Sequence, residues 1–284
     1  MSSVKLPSTI SGAYRLHKRG ITGKHINIAV MDSGLAEHPD FEQHRILAFR
    51  DFVSGISSPY DDYSHGTHVT GILSSSVIGV APESGIISLK VLDQQGNGSL
   101  DHLIRAIRWV LKHQHDYQIR ICNISIGGNT PELGKELNPL NLWVEKLWEA
   151  GVIVCCSAGN NGPRPGSITA PGNCRKVITV GSYDGKHFSS AGPLLPYITK
   201  PELVAPGYRI LGTKPGGGYS VKNGTSMSVP FISGACALLL QKSPHLTNDQ
   251  IKIRLMEASH TVPWLPYNMQ GAGILNLEQL LSLA

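Results

Sequence analysis

The sequence predicts an α/β protein with a doubly wound, mostly parallel central sheet and helices on both faces. Short apolar, β-branched runs recur along the chain, at Ile26–Met31, Gly85–Leu92, Ile119–Ser125, Gly151–Cys156 and Val177–Val180. Runs this apolar suit strands covered on both faces; a sheet with one wet face would alternate apolar and polar residues. Between them lie amphipathic stretches. Leu100–Lys112 sets Leu103, Ile104, Ile107, Val110 and Leu111 at helical spacing, and Leu140–Ala150 does the same with Leu142, Val144, Leu147 and Trp148. This β-α-β alternation implies right-handed crossovers between parallel strands.

Length and composition bound the rest. The chain has 284 residues and 41% hydrophobic content, enough for one large core and too little for two. One domain over residues 1–284 is expected, with an N-terminal segment at 1–19, a core over about 20–260, and a C-terminal helix and tail at 261–284. Charged residues make up 16%, and Gly (31) and Pro (18) are plentiful, which describes a compact body with tight loops. The polar stretch Pro131–Asn138 reads as a surface loop. A net charge of +5 is mild and scattered, and His17-Lys18-Arg19 reads as a solvated helix end, so no nucleic-acid partner is expected. No apolar stretch approaches the roughly 20 residues that span a bilayer, so no membrane partner is expected. Met1–Arg19 lacks an apolar signal core, which points to the cytoplasm; a trimmed secreted precursor would look the same. Cys122, Cys155, Cys156, Cys174 and Cys236 match no zinc spacing and read as reduced, buried thiols, with Cys155 and Cys156 facing opposite sides of a strand.

Ligands of open α/β sheets sit beyond the carboxyl ends of the strands. Polar and glycine-rich segments gather there. One run delivers Asp32, another Ser125-Ile126-Gly127-Gly128, and a third Ser157-Ala158-Gly159-Asn160. Three phrases carry chemistry: Val30-Met31-Asp32-Ser33-Gly34, Ser64-His65-Gly66-Thr67-His68-Val69-Thr70-Gly71, and Asn223-Gly224-Thr225-Ser226-Met227-Ser228-Val229-Pro230. A serine hydroxyl is a weak nucleophile until a base takes its proton. A histidine can be that base near neutral pH. A carboxylate must hold the imidazole and stabilise the imidazolium, and the developing oxyanion needs preorganised donors. Asp32, His65 and Ser226 each supply one part. Ser226 also precedes the apolar run Phe231–Leu240, which reads as a buried helix whose N-terminus would favour negative charge. His65 and His68 are three apart without the intervening carboxylate of a zinc-protease helix, so His68 reads as a structural second histidine.

Taken together and in the order Asp, His, Ser, these phrases resemble the signature motifs of the subtilisin-like serine peptidases, the subtilases. The similarity runs from about Gly20 to Leu240. Ile46–Asp51 with Pro59-Tyr60-Asp61-Asp62, and Thr169-Ala170-Pro171-Gly172, resemble the intracellular bacterial AprX-like branch. The resemblance implies a serine endopeptidase acting on proteins or peptides, with Asp32, His65 and Ser226 as triad and Asn160 as the side-chain donor of the oxyanion hole beside the Ser226 N–H. It also implies that Ser125-Ile126-Gly127 and Ser157-Ala158-Gly159 wall the pocket for the side chain before the scissile bond. Small walls of this kind suggest a roomy, apolar-accepting pocket. Gly96-Asn97-Gly98 would be the edge that pairs with extended substrate. Such main-chain pairing gives affinity with loose sequence demands. Gly216-Gly217-Gly218 lacks the ending of a phosphate loop and reads as a substrate-edge loop.

No cofactor is expected for the chemistry. Calcium is left open as a structural ion, with Asp40 matching a family ligand. The Ser74-Ser75-Ser76-Val77-Ile78 stretch is short and has no Asn or Asp, so most partners of a tight calcium site are missing. No propeptide is read before Gly20: either the chain folds without one or the sequence is a mature fragment. Two other readings stay open, a silent fold that only binds peptides, and an α/β-hydrolase esterase. The second would need a Gly-x-Ser-x-Gly elbow and the order Ser, Asp, His.

Overall fold

The computed structural model describes residues 4–127, 138–192 and 199–282. Two short helices, α1 (Pro7–Ile10) and α2 (Ala13–His17), lead into β1 (Asn27–Asp32). Then follow β2 (Ile46–Asp51), α3 (His65–Ser74), β3 (Gly85–Lys90), α4 (Leu100–His113), β4 (Ile119–Ile124), α5 (Pro139–Glu149), β5 (Ile153–Ser157) and β6 (Ile178–Ser182). The chain continues through β7 (Leu203–Ala205), β8 (Ile210–Thr213), β9 (Tyr219–Lys222), α6 (Thr225–Lys242), α7 (Asn248–Glu257), β10 (Ser259–His260), α8 (Tyr267–Gln270), β11 (Ile274–Leu275) and α9 (Leu277–Ser282). The loop expected over Pro131–Asn138 lies, except for Asn138, outside the described residues, as does Gly128.

Nine strands form one sheet in the order β10-β11-β7-β6-β5-β4-β1-β3-β2, and β8 pairs with β9 apart from it. Every neighbour pair in the large sheet is parallel except β10 with β11. From β1 the chain passes to β2 at the edge, fills the place between them with β3, then crosses to β1's other side and builds outward through β4 to β7. The direction of winding reverses at β1, and the crevice beyond its carboxyl end is where a doubly wound sheet binds ligands. The apolar runs of β1, β3 and β5 are buried at nearly every position, so both faces of those strands are covered, as their composition requires. The sheet extends past residue 260 into the segment read as a C-terminal helix and tail, through β11, which pairs with β10 and β7.

Helix α6 starts six residues before the apolar run that announced it. Pro230 sits inside it. Proline has no N–H, so the carbonyl of Ser226, four residues earlier, loses its helical donor. The Ser125 hydroxyl supplies the missing bond at 3.1 Å. A helix-breaking residue is thereby tolerated, and the first turn of α6 is tied to the end of β4. Helix α6 packs against β4, β5, β6 and β7 and against α3, while α4 packs on α5.

Candidate active site

Asp32 is the last residue of β1 and is 1% exposed. Its Oδ1 accepts from the Ser33 N–H and from His65 Nδ1, each at 2.7 Å. A carboxylate only accepts, so Nδ1 carries the proton and Nε2 of the neutral imidazole is left as a lone pair. Burial opposes the imidazolium of His65, but the charge and hydrogen bond of Asp32 outweigh it and raise the pKa above the ordinary 6.5; Lys222 acts in the lowering direction.

Close approach of two backbones makes the Asp32–His65 contact achievable. A Cβ on Gly66 would lie 2.3 Å from the Gly34 carbonyl oxygen, and one on Gly34 would lie 2.1 Å from that of Tyr60. Only hydrogen fits at both positions. His65 opens α3 after Ser64, whose φ of 68° is left-handed and whose side chain makes no cap. Asp61 does the capping instead. It accepts from the Ser64 N–H (2.8 Å), the Thr67 N–H (2.8 Å), Thr67 Oγ1 (2.6 Å) and Ser33 Oγ (2.8 Å). Burial would raise its pKa, yet these bonds, led by those from Thr67, hold it below the usual carboxylate value. Asp61 was not singled out as a functional residue from the sequence. The available signal was an acid four residues before His65, where a helix N-terminus favours negative charge. His68 is buried. Its Nε2 donates to the Ser220 carbonyl at 3.1 Å, and burial pushes its pKa down to about 3, so it stays neutral and joins α3 to the β8–β9 pair.

Ser226 is the second residue of α6, after Gly224 at the N-cap. Its hydroxyl donates to the Ser125 carbonyl at 3.0 Å and not to His65. A buried polar chain runs beneath it: Ser233 Oγ donates to Asn123 Oδ1 at 2.9 Å, and Asn123 Nδ2 donates to Ser125 Oγ at 2.9 Å. Asn160 is turned by Thr225. Its Oδ1 accepts from the Thr225 N–H at 3.0 Å and from Thr225 Oγ1 at 3.2 Å, while Thr225 Oγ1 accepts from the Gly159 N–H at 3.1 Å. With its oxygen committed, Asn160 directs Nδ2 toward Gly224, where an added Cβ would stand 3.3 Å from it.

A cavity of about 220 Å³ opens beside Ser226, lined by Gly127, Ser157, Gly159, Asn160, Asn161 and Thr169. Of the expected wall residues, Gly127, Ser157 and Gly159 line it. Ile126 packs its side chain against the hydrophobic core, and Ala158 is buried with its N–H bonded to the Val180 carbonyl, so neither does. Ser125 sits deeper, in the polar chain. Thr169 and Asn161 were not read as lining residues: Thr169 comes from a later loop, and Asn161 directly follows Asn160 without a motif signal of its own. Gly96, Asn97 and Gly98 form an exposed turn: the Asp93 carboxylate accepts from the Asn97 N–H at 2.8 Å, and Gly98 pairs with Leu92. The Tyr63 ring stands 6.2 Å from the His65 ring and against Gly96, where an added Cβ would meet it at 2.5 Å.

Asp40, the residue that matches a family calcium ligand, faces hydrogen-bond donors. Its carboxylate accepts from Ser75 Oγ and from Tyr219 OH, the latter at 3.0 Å to Oδ2. The Arg45 guanidinium donates to the carbonyls of Asp40 (2.9 Å) and Ser74 (2.9 Å). Calcium needs oxygens free to face it, and these already face donors. Among the described residues, no group of three or more His, Cys, Asp or Glu is placed to hold a metal ion. All five cysteines are unpaired and buried, and burial raises the pKa of Cys122, Cys156 and Cys174, which makes them poor nucleophiles.

An Asp–His pair at a strand end, a serine at a buried helix N-terminus and a side-chain amide beside a cavity define a serine hydrolase of the parallel-sheet class. Residues 23–274 match the model of the subtilase family, and the chain belongs to that family of serine peptidases. Serine protease AprX of Bacillus subtilis (strain 168) is 36% identical over 91% of this chain and 66% of its own length. Subtilisin of Bacillus pumilus is 35% identical over 98% of this chain and 96% of its own. The crystal structure of a cold-adapted subtilisin-like serine proteinase superposes with a TM-score of 0.74 at 28% identity, covering 90% of this chain and 88% of that one. Among the described residues, no helix is long and apolar enough to cross a membrane.

Proposed function

We propose that this chain is an endopeptidase that cleaves proteins through an acyl-enzyme formed on Ser226. The supporting observation is the 2.7 Å contact of His65 Nδ1 with Asp32 beside a cavity shared by Ser226 and Asn160. Ser226 Oγ first turns from the Ser125 carbonyl toward His65 Nε2. Exchanging one hydrogen bond for another makes this a small step, with a net term of about 1 kcal/mol. Substrate-free sites often show such loose geometry. His65 then takes the hydroxyl proton as Oγ attacks the substrate carbonyl carbon. The tetrahedral oxyanion is held by Asn160 Nδ2 and the Ser226 N–H. Asp32 keeps the imidazole in its tautomer and stabilises the imidazolium, which gives its proton to the leaving amine. Water enters by the same route and releases the acid.

The groups named supply nucleophile, base, orientation and oxyanion donors, so the chemistry is proposed to need no cofactor. Substrate would lie extended along Gly96-Asn97-Gly98, with one side chain entering the Gly127–Gly159 cavity. Five buried, unpaired cysteines favour residence in a reducing compartment. A fluorophosphonate probe on folded protein, followed by peptide mapping, tests the assignment together with casein digestion. Labelling of Ser226 and loss of label in His65→Ala are expected. An unlabelled Ser226 in protein that digests no casein would favour a fold that only binds peptides.

A further inference from the structure

Lys90 ends β3 beside Asp32, its partner across the β1–β3 ladder. It is 0% exposed, and no step of the proposed mechanism uses its charge. Its Nζ donates to the Ser33 carbonyl at 2.7 Å, to Asp62 Oδ1 at 2.6 Å and to the Leu92 carbonyl at 2.8 Å. An ammonium has three protons, so every donor is used. Each acceptor lies in a different segment of the site. Ser33 follows Asp32, and its N–H is one of the two donors to Asp32 Oδ1. Asp62 follows Asp61, which caps the helix that opens with His65. Leu92 pairs with Gly98 and so anchors the Gly96–Gly98 turn. The strand end adds two further ties: the N–H groups of Val91 and Leu92 both donate to the Asp32 carbonyl, at 2.8 and 3.3 Å.

These contacts fix one distance. The carbonyls of Asp32 and Ser33 hold residues 90–92, and Leu92 holds the turn. Hydrogen bonds from an ionised donor are stronger than neutral ones, and removing that donor from a buried site leaves its acceptors bare. Resting on the endopeptidase reading, we propose that Lys90 is a positioning residue: it holds the Gly96–Gly98 edge in register with Asp32 and His65, so that a peptide seated on that edge brings its scissile carbonyl to Ser226. Binding energy gained along the edge is then spent on orienting the reacting bond, which raises kcat and does not merely lower KM. Without the ammonium the edge still pairs with peptide through its own main chain, but its register against the catalytic pair is loosened. A displacement of about 1 Å costs on the order of a hundredfold in turnover.

Steady-state kinetics on the full chain test this with two acetylated peptide anilides, which carry two or four residues before the scissile bond and end in the same leucine. Fluorophosphonate titration counts the active enzyme, and the anilide leaving group keeps acylation rate-limiting, so kcat reports attack by the serine. In the unmodified enzyme the longer peptide should raise kcat by about tenfold or more. Lys90→Met keeps an apolar stem and loses the donors; its kcat on the longer peptide should fall on the order of a hundredfold. The ratio of kcat between the two peptides should then approach one, while the longer peptide keeps its lower KM. Lys90→Gln, with one amide donor, should fall between. A merely structural role would reduce the active fraction and leave that ratio alone. An unchanged ratio in Lys90→Met overturns the assignment. So does an unmodified enzyme whose kcat is the same for both peptides, even if neither variant folds. Failure of the unmodified enzyme to cut either peptide or casein overturns the endopeptidase reading itself.

Discussion

The hydroxyl of Ser226 rests on the Ser125 carbonyl, while its proposed partner waits with Nε2 unprotonated. Ser226→Ala and His65→Ala should each lower kcat about a million-fold, the scale known for subtilisin, in a purified-enzyme casein assay. Asn160→Ala should lower kcat about a hundred- to a thousandfold with little change in KM, because its amide meets charge that exists only in the transition state. The pH dependence follows from the raised pKa of His65. The active base is neutral imidazole, so kcat/KM should fall on acidification through a value above 6.5, and a pH–rate profile measures it. The stability contribution has the opposite sense. A raised folded pKa stabilises fully below the unfolded value and is lost as pH rises through the folded one.

Helix α3 depends on a residue outside it. Ser64, left-handed, cannot cap the helix, and Asp61 holds the first turn. Asp61→Ala should destabilise the protein by about 3 kcal/mol in denaturant unfolding, since several bonds to a buried charge are lost together. Asp61 also predicts acid sensitivity. Its folded pKa lies below its ordinary 3.8, so its stabilisation is present above that value and is lost as pH falls through the folded one. Gly66→Ala would force α3 away from the Gly34 carbonyl, and displacement of His65 by about 1 Å should lower kcat on the order of a hundredfold. Circular dichroism separates that effect from unfolding. At the other end of the site, α6 reaches back to Thr225 because Ser125 satisfies the carbonyl that Pro230 leaves without a donor.

Across the whole molecule, parallel winding brings residues as distant as Asp32, Ser125, Asn160 and Ser226 to one sheet edge. The β8–β9 pair is fastened to that edge by His68 and to the Asp40 loop by Tyr219. Tyr219→Phe should cost about 1 kcal/mol, or about 2–4 °C in Tm, by scanning calorimetry. Because Asp40 already faces donors, a chelator should leave that Tm unchanged. The strands β1, β3, β4, β5 and β6 were legible because fully apolar, β-branched runs have few other stable homes. The edge strand β2 and the short strands β7 to β11 were not, since their half-exposed or very short sequences carry little periodicity. Asp32, His65, Ser226 and Asn160 could be singled out because the phrases that hold them resemble the subtilase motifs, and the roles proposed for them demand particular residue types beside glycine at strand and helix ends. Asp61, Thr225, Asn123 and Lys90 could not be placed by sequence, because their significance lies in which atoms they face. Sequence alone thus determined the sheet class and the family, through burial and motif order, and named the groups proposed to react. Tertiary structure decided how those groups are oriented, capped and charged, because hydrogen bonds and Coulomb interactions depend on distances that the chain order does not contain.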